Sequence, residues 1–304
     1  MALTPATGHD DVTASEQASG PSGGRKRRRP AFERRGRLAR QLVALPVAAV
    51  FLLPLWLMVV ASLRPVGAAP SRAVQWFPSS PAWSNYAEIF DVVPLARYTL
   101  NSLLVVAVVV PASVLVASWA GFAIARLPRR SRVVLIGLCV VVLMVPATSL
   151  LVGRVSVFRW LGLTDTPIPL MAPALLGTSP LFVLLYAWTT SRLPSDLFDL
   201  ARERGLSPVA TWWRVAMPMQ RGATAAVVSL VFVLSWGNFL DPLIYLYDER
   251  WFTLPLGMRS LAIVPVTDQP LMLAAAIVAC APVVLALGIV QRRLFADPRP
   301  DGST

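Results

Sequence analysis

Few side chains in this 304-residue sequence can do chemistry. The single histidine, His9, stands in a polar leader, and the two cysteines, Cys139 and Cys280, stand in apolar runs. That set excludes a Ser-His-Asp triad, a Cys/His zinc cluster and a disulfide framework. The one lysine, Lys26, follows Arg25, and no G-x-x-x-x-G-K-[ST] loop is present to cradle a nucleotide. No catalytic residue, metal site or cofactor is expected, and the chain does not read as an enzyme. Two groups of residues remain. Asn238 and Asp241 stand at the end of an apolar run. The Asn238 amide is costly in lipid and should face a cavity or another helix, and Asp241, just after the span, is placed for the outer mouth; both are candidates for a solute pathway, with ordinary helix packing and interface anchoring as the alternatives. The second group is the stretch 192–221, RLPSDLFDLARERGLSPVATWWRVAMPMQR. Its chemistry would be mechanical, through a surface that grips a partner.

The elements that must carry these residues follow from where charge is missing. Hydrophobic residues make up 56% of the chain and charged residues 14%, against about 25% charged in soluble domains. Six long uncharged gaps, rich in Val, Leu, Ala and Ile, interrupt the charges. Each is long enough to span a bilayer core of about 30 Å as a helix. The expectation is an all-α polytopic membrane protein with six spans, near 41–63, 98–125, 133–153, 168–191, 222–242 and 270–291. The first gap is too long for the apolar region of a signal peptide and reads as an uncleaved anchor.

Residues 1–24 lack apolar periodicity and are expected to be disordered. Residues 25–40 carry nine basic side chains beside the first span. That placement points to anionic lipid rather than nucleic acid. With both termini in the cytoplasm, the inner segments hold 21 basic residues and the outer ones 7, which sets the orientation. Residues 64–97 then form an external loop, with Trp76, Phe77, Trp83, Tyr86 and Phe90 as interfacial anchors or a surface cap. Residues 98–293 form the core, and 294–304 a second cytoplasmic tail.

The segment 192–221 is the long inner loop. Pro194 and Ser195 open a helix with Asp196 and Asp199 in its first turn, where acids suit the dipole. Leu197, Leu200 and Ala201 make an apolar face. Gly205 ends this helix in a left-handed conformation, and Ser207 caps a second helix with Pro208 in its first position. Pro218 marks a bend before the fifth span. Two short amphipathic helices joined by a tight turn are the expectation. DNA reading is a poor fit for a hairpin flanked by membrane on both sides.

This loop resembles the EAA loop of ABC importer permeases: E-A-A, three residues, Gly, nine residues, then I-x-L-P. Here Asp199-Leu200-Ala201 is followed at that spacing by Gly205 and by Val215-Ala216-Met217-Pro218. Arg204 stands where the family usually has Asp. Further stretches are similar to the carbohydrate-importer subfamily: NYAEIF (85–90), TLNSLLVV (99–106), AGFAIARL (120–127), RWLGLTDT (159–166), WGNFLDPLIYL (236–246), TLPLGMRSL (253–261) and VLALGIVQRRLF (284–295). The resemblance is to the shorter six-helix permease of maltose-type transporters. It implies a type I importer in the inner membrane of a prokaryote. Two permease subunits would form the pathway, separate ABC ATPase subunits would hydrolyse ATP, and an extracytoplasmic solute-binding protein would deliver a sugar or related solute. The loop residues Asp199, Leu200, Ala201, Arg204, Gly205, Ser207 and Pro218 would couple to the ATPase. A secondary transporter, or another polytopic protein with an interfacial hairpin, is the competing reading. Acid-free apolar gaps argue against proton coupling.

Overall fold

The computed structural model describes residues 31–68, 73–175, 179–263 and 268–296. The expectations for residues 1–24 and for the end of the C-terminal tail lie outside them. The chain divides into two units, residues 1–53 and 54–304. The first unit carries the leading part of helix α1 (Ala31–Ser62), whose residues Leu45 and Phe51 are exposed. This helix begins ten residues before the expected start of the first span.

Among its described residues, the regular elements of the second unit are all helices. After α1 come α2 (Asn85–Val92), α3 (Leu95–Arg126), α4 (Arg129–Met144), α5 (Leu151–Trp160), α6 (Ile168–Leu175) and α7 (Pro180–Thr190). Next are α8 (Ser195–Glu203), α9 (Pro208–Thr211), a π-helical turn (Trp212–Ala216) and α10 (Met217–Met219). The chain closes with α11 (Arg221–Trp236), α12 (Leu240–Tyr245), α13 (Leu254–Gly257) and α14 (Gln269–Ala296).

Among the described residues, four stretches are long and apolar enough to cross a membrane: Ala44–Ser62, Leu95–Arg126, Ile168–Thr190 and Gln269–Arg292. Two more qualify only as bent pairs. Arg129–Met144 and Ala147–Trp160 meet at 81°, and Pro208–Met219 and Arg221–Trp236 meet at 85°. The expected helix over 133–153 is therefore broken. Pro146 supplies the cause, since it pushes Val145 out of the helical region (φ −78°, ψ 118°). The helix expected over 222–242 stops at Trp236, and α14 runs five residues past its expected end. The expected external loop holds a helix that periodicity did not reveal, α2. It is fixed by Asn85, whose buried amide donates to the carbonyls of Ser62 (2.7 Å) and Arg64 (2.8 Å). Of the loop aromatics, Trp76, Phe77, Trp83 and Phe90 are exposed, while Tyr86 hydrogen-bonds Ser62.

Apolar side chains cover the outside as well as the inside. Helix α4 buries none of its residues and exposes Val134, Leu138, Val141 and Met144, as a lipid-facing helix must. The interior has two main clusters. Val109, Ala117, Phe182, Tyr186, Val227 and Val231 join α3, α7 and α11. Ile89, Tyr98, Trp236, Leu254 and Leu271 join α2, α3, α11, α13 and α14. Gly121 lets α3 and α7 touch: a Cβ there would lie 2.5 Å from the Cβ of Tyr186 and 2.7 Å from the backbone nitrogen of Ala187. Close approach of this kind is the usual role of small residues between membrane helices.

Candidate functional site

Two places gather the residues that sequence singled out. The first is the hairpin of α8 and α9. Helix α8 starts after Pro194, with Asp196 in its first turn. Asp199 is one turn further on, so it does not sit on the N-terminal dipole as expected. Its carboxylate lies 3.9 Å from Arg202, and both side chains are exposed. The face that α8 buries keeps Ala201 of the expected one and replaces Leu200 with Phe198. Phe198 and Ala201 are buried, whereas Leu200 points outward, 45% exposed. Phe198 meets Phe122 of α3 with ring centroids 6.0 Å apart, and the Arg126 guanidinium lies over its ring, 4.5 Å from the centroid. Residues 198 and 201 are also three apart; the choice between the two apolar faces needed the position of α3.

Helix α8 ends as a glycine-terminated helix should. Arg204 is its last cap, and Gly205 takes φ +70°. The amide of Gly205 donates to the Arg202 carbonyl (2.9 Å) and that of Leu206 to the Ala201 carbonyl (3.0 Å). This pair satisfies the carbonyls that a helix end leaves open. Ser207 follows in an extended conformation, and its Oγ accepts from the Ala210 amide at 3.2 Å. Pro208 fills the first helical position, where no amide is needed. Pro218 lies inside α10, and the bend falls two residues later. There Gln220 is buried, and its side-chain carbonyl accepts from the hydroxyls of Thr189 and Thr190 of α7. Sequence reading did not single out Gln220; its only signal was a polar amide at the edge of an apolar run.

The second place is a cavity of about 210 Å³ among α3, α5, α6, α7, α11 and α12. Asn238 and Asp241 both line it. Asn238 donates to the Asp241 carboxylate (2.9 Å) and accepts from the Asp241 backbone amide (3.3 Å). The other Asp241 oxygen faces a guanidinium nitrogen of Arg154 on α5, at 3.4 Å. Arg154 also lies 5.8 Å from the ring of Tyr245. Sequence reading counted Arg154 only as an external charge, because 87 positions separate it from Asp241.

Beside this cavity, the loops that carry α5 and α12 are clasped. Asp165 stands at φ +60°, its amide donates to the Tyr245 carbonyl (2.7 Å), and its carboxylate accepts from the amides of Tyr247 (2.9 Å) and Asp248 (2.8 Å). The Asp248 amide first, and the Tyr247 amide with it, hold this carboxyl below its ordinary range. On α3, Asn101 donates to the carbonyls of Arg250 and Phe252, and Ser102 accepts from the Leu254 amide. Among the described residues no group of His, Cys, Asp and Glu is arranged to hold a metal ion.

Comparison with known proteins follows this geometry closely. The model of the family described as binding-protein-dependent transport system inner membrane component matches residues 110–299. The sulfoquinovosyl glycerol transport system permease protein SmoH of Agrobacterium fabrum is 26% identical over 235 residues, 77% of this chain and 82% of SmoH. The arabinooligosaccharides transport system permease protein AraQ of Halalkalibacterium halodurans is 27% identical over 253 residues, 82% of this chain and 90% of AraQ. In fold, the chain is similar to a subunit in the crystal structure of a bacterial ABC transporter involved in the import of the acidic polysaccharide alginate. That likeness has a TM-score of 0.71 at 16% identity and covers 87% of this chain and 98% of the other.

Proposed function

We propose a function from one fixed premise: this chain belongs to the family of binding-protein-dependent transport system inner membrane components. It is a multi-pass permease component of an ABC importer, and ATP hydrolysis belongs to a separate subunit of such systems. The finer reading is that it forms half of the pathway for a sugar or a related polyhydroxyl solute. The names of SmoH and AraQ support that solute class. The remaining parts would be a second, different permease, ATPase subunits and an extracytoplasmic solute-binding protein. In this reading the chain crosses six times with both termini in the cytoplasm, which puts the hairpin on the ATPase side and the Asp165 clasp on the solute side.

One observation carries the coupling role. Helix α8 packs its inner face, through Phe198, against α3, and keeps Leu200 exposed on a helix whose C-terminal end is fixed by the Gly205 and Leu206 amides. A rigid helix with a free apolar residue suits helix-in-groove docking onto the ATPase. Movement of the ATPase then reaches α3 through Phe198 and Phe122. Asn238 and Asp241, facing one cavity, are the pathway residues of this reading.

The test uses a chain with Cys139 and Cys280 replaced. A cysteine at Leu200 should cross-link to a cysteine in the ATPase groove, and an impermeant thiol reagent on intact cells should label a cysteine at Ser79 but not one at Ser207. The reverse labelling, or an ATPase that does not co-purify, defeats the proposal. A secondary transporter would show neither the cross-link nor the co-purification.

A further inference from the structure

We propose that this chain carries its own binding site for one neutral sugar unit, in the cavity lined by Arg154, Asn238 and Asp241, and that the Arg154–Asp241 pair sets the charge of the solute accepted. The inference rests on the permease reading and names the ligand class of one cavity within it.

Size and chemistry agree. About 210 Å³ is room for a single sugar ring. A pyranose has apolar ring faces and a polar rim. The cavity matches that division, with Phe182 and Leu234 among its apolar lining and Arg154, Asn238 and Asp241 as its polar group. Few polar groups in a mostly apolar wall are what orient a small ligand. The polar groups also have bonds to give. The hydroxyls of Ser113 and Ser235 line the same cavity. Arg154 has five N–H donors, and its contact with Asp241 is a single one at 3.4 Å. Neighbouring sugar hydroxyls fit such a pair: one donates to the carboxylate while the next accepts from the guanidinium.

Charge decides which sugar. Arg154 and Asp241 together carry no net charge, so neither a sugar acid nor an amino sugar gains a net ionic contact to offset the loss of its own hydration, whereas a neutral ring has no such loss to offset. Removing one partner leaves the other as an uncompensated charge in a partly buried place. Selectivity should therefore invert in a direction fixed by which residue is changed. The site stands where the chain breaks between α11 and α12 at residues 237–239. Discontinuous helices around a solute are a recurrent transporter arrangement.

The experiment uses the assembled importer, with Ser235→Cys as the only cysteine of this chain. Alkylation by N-ethylmaleimide is timed with D-glucose, D-glucuronate or D-glucosamine present. Glucose should slow alkylation most. With Asp241→Asn, which keeps an acceptor for Asn238, glucuronate should gain about tenfold over glucose, a difference of about 1.4 kcal/mol. With Arg154→Gln, glucosamine should gain instead. The double variant Arg154→Gln/Asp241→Asn should return the preference to glucose, which separates charge selection from general damage. No protection by any of the three sugars, or one ranking in all variants, overturns the proposal. ATPase co-purification is read on the same samples. If the ATPase is present and protection is absent, this inference alone falls. If the unsubstituted chain brings down no ATPase, the permease reading falls and takes the inference with it.

Discussion

The hairpin and the cavity are built in opposite ways. In the hairpin, the bonds that define the shape run between residues three to five apart: Gly205 to Arg202, Leu206 to Ala201, Ala210 to Ser207. In the cavity, the defining pair joins Arg154 to Asp241 on different helices. A movement that shifts α5 against α12 must change the Arg154–Asp241 distance. The same movement can leave every bond of the hairpin intact. The hairpin is thus suited to pass force without absorbing it, and the cavity to change its shape when force arrives. Short local bonds make the lever; long-range contacts make the part that responds.

The largest expected effect breaks the second kind of contact. Gly121→Leu places side-chain atoms where α3 meets the backbone of α7. Overpacking there should destabilise the chain by about 3 kcal/mol. The loss should appear as a lowered thermal unfolding midpoint of the purified, fluorescently tagged protein. Gly121→Ala should show the same change at a smaller size; an unchanged midpoint in both would mean that α3 and α7 are not in contact.

Gly205→Val comes next and tests the lever. The residue has open space around its Cβ position, so the cost is backbone strain at φ +70°, about 1–3 kcal/mol. The variant should reach the membrane at normal abundance and lose solute-stimulated ATP hydrolysis. Gly205→Asn should keep most of that activity, because Asn tolerates the left-handed region. Equal loss in both would point to the space around the turn rather than its backbone.

Ser207→Ala removes one cap bond and should cost about 1 kcal/mol. Faster hydrogen exchange at the Ala210 amide is the specific readout. Asp199→Ala should do still less than its place in the motif suggests, since its ion pair with Arg202 is exposed.

The smallest effect belongs to the clasp. The Asp165 carboxyl is held below its ordinary value near 3.9. A lowered folded value means that its stabilisation is complete above that ordinary value and is lost as pH falls through the folded one. The Tyr247 and Asp248 amides should therefore lose protection from exchange below about pH 4. Asp165→Ala should remove that pH dependence without altering the rest of the helices.

Local bonding also explains what the sequence made legible. Gly205, Ser207 and Pro208 announce their turn because each acts on neighbours within a few positions. Asn238 and Asp241 could be paired by spacing alone. Arg154 could not be joined to them, because its partner is fixed by the packing of α5 and α12. Phe198 was hidden for a related reason: either face of α8 is apolar, and α3 decides between them. The break at Pro146 carried a local signal, but the continuous apolar run around it suggested an unbroken helix. Helix α2 is fixed by one amide, Asn85, reaching two carbonyls more than twenty residues away.

Gln220 has a consequence for the order in which the chain is built. Its side-chain oxygen takes hydrogen bonds from Thr189 and Thr190, about 30 residues earlier in synthesis. Until residue 220 emerges, the hydroxyls at the end of α7 lack this acceptor. Once it emerges, those hydroxyls gain it, Thr189 in addition to its local bonds with the Leu185 and Tyr186 carbonyls. The two ends of the segment between α7 and α11 are thereby joined only after the whole of that segment has been made.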